Sequence, residues 1–260
     1  EVMIGRECFR VRFSDGSTIV ADGDHLWTTT DRRTRKALRR RVPNPKPKGP
    51  NSLPRYAPQT LTTKQIAATL YDRGEANHSI ACAGPLDLPD AELPIDPYLL
   101  GCWLGDGASK SAATTTEDIE IVQAFEAQGF VLREYSTSGK AKTYGIAYAS
   151  RENRRNGTTG RFGNGTTGFY VELSKLGLIQ NKHVPPQYLR ASVAQRRALL
   201  QGLFDTDGHC DETTGSSEFC STNFALADAA RELALSLGVK AVMYTGRATL
   251  NGVDCGPKFR

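Results

Sequence analysis

Apolar and polar positions alternate over the first thirty residues and then give way to helical spacing, and that change divides the chain. Phe9, Val11 and Phe13 fall on one face of an extended segment, Ser14-Asp15-Gly16 supplies a turn, and Ser17 to Ala21 continues as a second strand, so the start of the chain predicts a hairpin. Leu61 to Leu70 reads as a short capped helix, and Pro85, Pro89, Pro94 and Pro97 mark a linker. Beyond it the pattern predicts a helix from Pro97 to Leu104, strands, a helix from Glu117 to Gln128, strands from Val131 to Tyr148, and helices around Val171 to Leu178 and Val193 to Phe204. A second series follows, with strands, a helix from Asn223 to Leu237 and a strand from Val239 to Tyr244, which implies a repeat of about 100 residues.

The fold class expected is therefore α+β, with a β-rich unit over 1–85 and a two-repeat α/β unit over 86–260, the repeats covering about 94–192 and 193–260. With 260 residues and 39% hydrophobic content the chain can bury a core. Six cysteines without zinc spacing, no signal peptide and no apolar run of membrane length point to a reducing cytoplasm and away from a membrane partner.

Charge changes the picture more than composition does. The net charge is +5 and the pI about 8.9, but Arg32, Arg33, Arg35, Lys36, Arg39, Arg40, Arg41, Lys46 and Lys48 are gathered between Asp31 and Lys48. Pro43, Pro45, Pro47, Pro50 and Pro54 forbid a continuous helix and suggest an extended basic arm over 31–50, suited either to phosphate contact or to solvation as a linker. Asn156-Gly157-Thr158-Thr159-Gly160 recurs at Asn164 to Gly168 among Arg151, Arg154, Arg155 and Arg161, either a polar loop or a second DNA-contacting one.

The chemistry lies in a duplicated segment. Leu100-Gly101-Cys102-Trp103-Leu104-Gly105-Asp106-Gly107 aligns with Gln201-Gly202-Leu203-Phe204-Asp205-Thr206-Asp207-Gly208 at a constant offset of 101. Gly101 with Gly105 and Gly202 with Thr206 put small side chains on one helix face, so two such helices can pack closely. Each segment ends in Asp-Gly, where glycine is expected in the left-handed cap conformation. Two carboxylates delivered to two helix C-termini oppose the local dipoles and each other, and ask for a hard divalent cation such as Mg²⁺ or Mn²⁺.

These residues resemble the LAGLIDADG homing endonucleases, more fully in Leu200 to Gly208 than in Leu99 to Gly107. The resemblance implies saddle-shaped antiparallel sheets on long, asymmetric double-stranded DNA, a monomer acting as a pseudo-dimer, and Asp106 and Asp207 as metal-binding catalytic residues. Leu104 departs from the motif where Asp205 keeps an acid. The family also places a lysine in each half, for which Lys258 is the candidate in the second and Lys142 in the first. The basic residues Arg32, Arg33, Arg35, Lys36, Arg39, Arg40 and Arg41 are expected to contact DNA.

Asp22-Gly23-Asp24-His25-Leu26-Trp27 resembles the histidine block of inteins, which implies a partial splicing (Hint) domain over 1–85. There His25 would polarise the upstream junction by general-acid chemistry, and Trp27 resembles the tryptophan of inteins lacking an N-terminal nucleophile. Asp22 stands where those blocks have threonine. Asn77-His78-Ser79-Ile80 and Asp96 to Gly101 resemble the passage into the nuclease in inteins of replicative helicases, with His78 either structural or functional. The chain opens inside a strand and stops at Arg260 within an expected strand, so both junctions are expected to lie outside it and the piece is not expected to splice alone. A DNA-binding protein without catalysis, or a splicing element with a passenger nuclease, is the alternative.

Overall fold

The computed structural model describes residues 4–41, 55–138, 140–148 and 168–260, with the backbone only for 135–138. Pro43 to Pro54 of the expected arm, together with Lys46 and Lys48, and the Asn-Gly-Thr-Thr-Gly repeat up to Thr167 lie outside the described residues. The chain divides into two units between Ala83 and Gly84, against the 85/86 boundary read from the sequence.

In the first unit β1 (Cys8–Arg12) pairs antiparallel with β2 (Thr18–Asp22), Phe9 facing Ala21 and Val11 facing Ile19. The alternating pattern selects this register, and Gly16 takes the turn at φ 88. After β3 (Leu26–Asp31) comes α1 (Arg32–Arg39), then β4 (Gln59–Thr62), α2 (Thr63–Ala68), and the short strands β5 (Tyr71–Asp72), β6 (Glu75–Ala76) and β7 (His78–Ser79). β3 is the centre of a three-stranded sheet with β4 and β7 on its sides. α2 starts in a capping box between Thr62 and Gln65.

The basic run corrects the expectation of an extended arm, because its first part is helix α1. The prolines begin only at Pro43, so nothing before them prevents a helix. Asp31 caps it, accepting a bond from the Thr34 amide at 2.6 Å, and Thr34 and Ala37 are buried. Arg32 reaches Glu75 at 2.7 and 2.9 Å and Asp72 at 3.1 Å. Arg35 donates to the carbonyls of Thr30 at 2.9 Å and of Asn77 and Ala76 at 2.7 Å. Those bonds offset the repulsion within the helix.

The second unit runs α3 (Pro97–Asp106), β8 (Ala113–Thr116), α4 (Ile119–Ala127), β9 (Phe130–Ser138), β10 (Ala141–Tyr148) and α5 (Gly168–Lys175). It continues with α6 (Pro186–Leu189), α7 (Val193–Asp207), β11 (Gly208–Asp211), β12 (Ser216–Phe219), α8 (Phe224–Ser236), β13 (Thr245–Leu250) and β14 (Val253–Phe259). α3 and α7 pack on each other along their length at the centre of the core. Trp103, Leu99, Leu104, Leu199 and Leu203 are fully buried there, with Phe125, Phe169 and Leu173 behind them. Asp96 caps α3, with Pro97 in its first turn, and Ser192 with Gln195 makes a capping box for α7.

The sheets are small and antiparallel. β8, β10 and β9 form one in that order, while β11 with β12 and β13 with β14 are separate hairpins linked by a single bridge from Ser221 to Phe259. The strand expected over Val239 to Tyr244 is not formed, since pairing begins only at Tyr244, which exchanges bonds with Arg260 at 2.7 and 3.0 Å. The linker is irregular, as its prolines require, yet it is fastened to its own unit. Gln195 bonds both the amide and the carbonyl of Ala91 at 2.9 and 2.7 Å, and the Tyr188 hydroxyl does the same for Ile95 at 3.1 and 2.9 Å. Arg196, fully buried on α7, donates to the carbonyls of Leu86, Ala191 and Ser236.

Candidate active site

The duplicated segments form the contact between α3 and α7. A Cβ on Gly101 would meet the Leu199 carbonyl oxygen and stand 2.9 Å from the Leu203 nitrogen. On Gly202 it would meet the Tyr98 carbonyl oxygen and stand 2.8 Å from the Cys102 nitrogen. Leu199 follows Tyr98, and Leu203 follows Cys102, by the same offset of 101 that relates the two glycines, so the contacts repeat the symmetry of the sequence. Such an approach places backbone against backbone, where no other residue fits. One turn on, a Cβ at Gly105 would lie 2.7 Å from the Thr206 Cβ and 3.4 Å from Asp207 Oδ2, so the Asp207 carboxylate leans against the helix that ends in Asp106.

Gly107 and Gly208 end the helices in extended conformation, with φ of −71 and −99, and not in the left-handed one expected. Glycine is required there by space. A Cβ on Gly107 would stand 2.5 Å from Trp103 Cδ1, and one on Gly208 2.6 Å from Phe204 Cα. Each glycine passes directly into a strand contact, Gly107 bridging to Thr114 and Gly208 opening β11 against Phe219. Thr114 Oγ1 is the buried side-chain oxygen without a partner among the described residues, and it lies beside the end of α3.

Both terminal carboxylates are half-buried and receive no hydrogen-bond donor among the described residues. Burial pushes the Asp106 carboxyl above the ordinary carboxylate range, and the nearby charge of Asp207 pushes it further. Burial raises Asp207 as well. What opposes both shifts is Lys182, whose charge pulls each carboxyl down. Its Nζ donates to the Gly105 carbonyl at 2.8 Å and stands 5.3 Å from the centroid of the Trp103 ring. Burial in turn lowers the Lys182 pKa below its ordinary value, with the two carboxylates acting against that. Two unsatisfied carboxylates beside each other are a donor set that fits Mg²⁺ or Mn²⁺, which take few protein oxygens and complete their shell from water and phosphate.

The structure thus brings Asp106, Asp207 and Lys182 together. Lys142 is elsewhere, on β10 in an exposed pair with Glu134 at 2.9 Å, and Lys258 sits on β14 opposite Gly246. Neither is among the charges that shift the two carboxyls. Lys182 was missed by reading the sequence, although Asn181-Lys182-His183-Val184-Pro185-Pro186 carries a signal, a lysine leading into a stretch too apolar and stiff for a solvated loop. Its backbone is pinned by the Asn223 side chain, which donates to the Lys182 carbonyl at 2.8 Å. Asp205 accepts from the Tyr98 hydroxyl at 2.9 Å, while Leu104 at the matching position of α3 is buried. No cluster of three or more His, Cys, Asp and Glu suited to a metal occurs among the described residues.

In the first unit His25 is exposed and lies edge-on to Trp27, ring centroids 4.7 Å apart. Trp27 Nε1 donates to Thr63 Oγ1 at 2.9 Å, and its ring also meets Phe13 at 6.1 Å. Asp22 is ion-paired with Arg6 and caps the turn through the Asp24 amide at 2.8 Å. His78 is held through both ring nitrogens, by the hydroxyls of Thr69 at 2.8 Å and Thr29 at 3.4 Å. Of the basic residues expected to touch DNA, Arg32 and Arg35 are turned to internal acceptors, Lys36 is shared with Glu75 at 3.2 Å, and Arg33, Arg39, Arg40 and Arg41 are exposed.

Residues 194–253 match the LAGLIDADG-like domain, a stretch that includes most of α7 with Asp207. The chain is also 38% identical over 256 residues, 95% of its length, to the replicative DNA helicase DnaB of Mycobacterium intracellulare. A stretch of 30 residues, 12% of the chain, is 57% identical to the replicative DNA helicase DnaB of Mycobacterium leprae (strain TN). The chain spans 37% of the length of the first relative and 5% of the second. These matches agree with the resemblance seen in the sequence, a LAGLIDADG element of the kind carried by inteins of replicative helicases. No helix among the described residues is long and apolar enough to cross a membrane.

Proposed function

We propose that the chain is the homing-endonuclease part of an intein, cutting both strands of a long, specific duplex DNA site with Mg²⁺ or Mn²⁺. The observation that carries this reading is the pair Asp106 and Asp207, two half-buried carboxylates without donors at the ends of helices that cross on glycine. When bound, the cation supplies activation of water and stabilisation of charge at the scissile phosphate. Asp106 and Asp207 would hold it between them, so that cutting of either strand depends on both carboxylates. Lys182 Nζ, with its pKa lowered by burial, neutralises charge beside them and can donate a proton to a nearby oxygen atom. The small antiparallel sheets serve to read the major groove, where every base pair is distinguishable.

On the same reading the first unit is part of a splicing domain. Support comes from the edge contact of His25 with Trp27, which leaves the imidazole exposed next to an anchored ring. The test is cleavage of a randomised duplex library with Mg²⁺, sequencing the ends produced. Recurrent double-strand breaks that vanish in Asp106→Asn and in Asp207→Asn support the proposal, and undiminished cutting by either variant refutes it.

A further inference from the structure

Helix α1 carries a strong positive charge that its own unit neutralises only in part. Arg32 and Arg35 are consumed in fixing it, the first to Asp72 and Glu75 and the second to three backbone carbonyls. Thr34 and Ala37 bury the inner side. What remains outward is Arg33, Lys36 and Arg40, which recur at three- and four-residue spacing on one face, with Arg39 and Arg41 beside them. Lys36 shares Glu75 with Arg32, and the other four are exposed with no acidic partner among the described residues. From Arg33 to Arg40 the face spans about 10 Å of helix, which matches about three phosphates of one strand at the rise of duplex DNA.

We infer that the outward face of α1 is a phosphate-backbone contact for duplex DNA, held rigid by Arg32 and Arg35, which themselves touch no DNA. This deepens the nuclease reading and rests on it for the identity of the polyanion. A rigid row of guanidinium groups adds affinity without reading sequence, because phosphate contacts position a protein on DNA and base contacts specify the site. Long side chains on a fixed helix also lose less freedom on binding than those of a loose arm.

The experiment measures binding of the whole chain to a random-sequence 40-base-pair duplex in Ca²⁺, across a series of salt concentrations. One variant changes Arg33, Arg39 and Arg40 to Gln, a second changes the same three to Lys, and a control changes Arg10, Arg12 and Arg73, exposed in the same unit, to Gln. The Gln variant is expected to lower the log–log salt slope by about 2.7, so that between 50 and 200 mM salt the wild type loses about 40-fold more affinity than the variant. The Lys variant keeps the wild-type slope and shows that charge, and not folding, is read. Equal slopes for the Gln variant and the control overturn the inference. The assay needs no cleavage, so a failure of the nuclease proposal in the library assay is seen separately.

Discussion

Replacing Gly202 by Ala probes the helix contact on which the site depends. In an ordinary helix the change would stabilise by about 1 kcal/mol. Here the new methyl would meet the Tyr98 carbonyl oxygen and stand 2.8 Å from the Cys102 nitrogen and 3.0 Å from the Gly101 Cα. All three belong to the backbone of a neighbouring helix and cannot swing aside, so the cost lies at or above the top of the roughly 1–3 kcal/mol of overpacking. The net expectation is a loss of about 2 kcal/mol, about 30-fold in the folding equilibrium. The two tryptophans, Trp27 and Trp103, fall one in each unit, so a Trp27→Phe background leaves Trp103 to report urea unfolding of the second unit. With a slope of about 2–3 kcal/mol/M the midpoint should fall by about 0.7–1 M. Gly246→Ala is the control, because nothing lies within 4 Å of its added Cβ. A Gly202→Ala variant as stable as wild type, with its cleavage intact, would refute the close crossing.

Three further outcomes follow from the same structure. Asp106→Asn and Asp207→Asn should each raise the melting temperature of the second unit at pH 7 without metal, because each removes a charge that burial disfavours; a lowered melting temperature in both would contradict this. Arg32 and Lys36 hold the Glu75 carboxyl down to about 2 from its ordinary 4.5, so the stability it contributes is present above pH 4.5 and lost as pH falls towards 2. Glu75→Gln should therefore flatten the acid loss of the first unit, followed by Trp27 fluorescence in a Trp103→Phe background, and an unchanged acid profile would count against the pairing. Arg196→Met should cost about 2–3 kcal/mol and speed hydrogen exchange at the Leu86 amide, since it removes the guanidinium donors from the Leu86, Ala191 and Ser236 carbonyls, the last two in buried residues; unchanged protection at Leu86 would show that the linker is held by other means.

Local signals in the sequence proved most legible where one short-range rule decides the structure. The alternation of Phe9, Val11 and Phe13 yields β1, and Asp96 and Ser192 start α3 and α7. The offset of 101 was enough to pair Asp106 with Asp207, because small residues at helical spacing leave few other ways to bury that face. Tertiary partners set what the sequence did not show. α1 depends on acids at Asp72 and Glu75, some forty residues away. The extended form of Gly107 and Gly208 is dictated by Trp103 and Phe204, four residues back, together with the strands that follow at once. Lys182 joins the site only through folding of the segment between α5 and α6, and its spacing from either carboxylate carries no period.

Strand-resolved single-turnover cleavage by the wild type, Asp106→Asn, Asp207→Asn and the double variant, on a recurrent library site at saturating Mg²⁺, tests the central claim most directly. If the two carboxylates act as one cation-holding unit, each single variant falls by about 100-fold or more and the double variant falls no further. Independent, multiplying losses, or a single variant that cuts both strands at the wild-type rate, would contradict it.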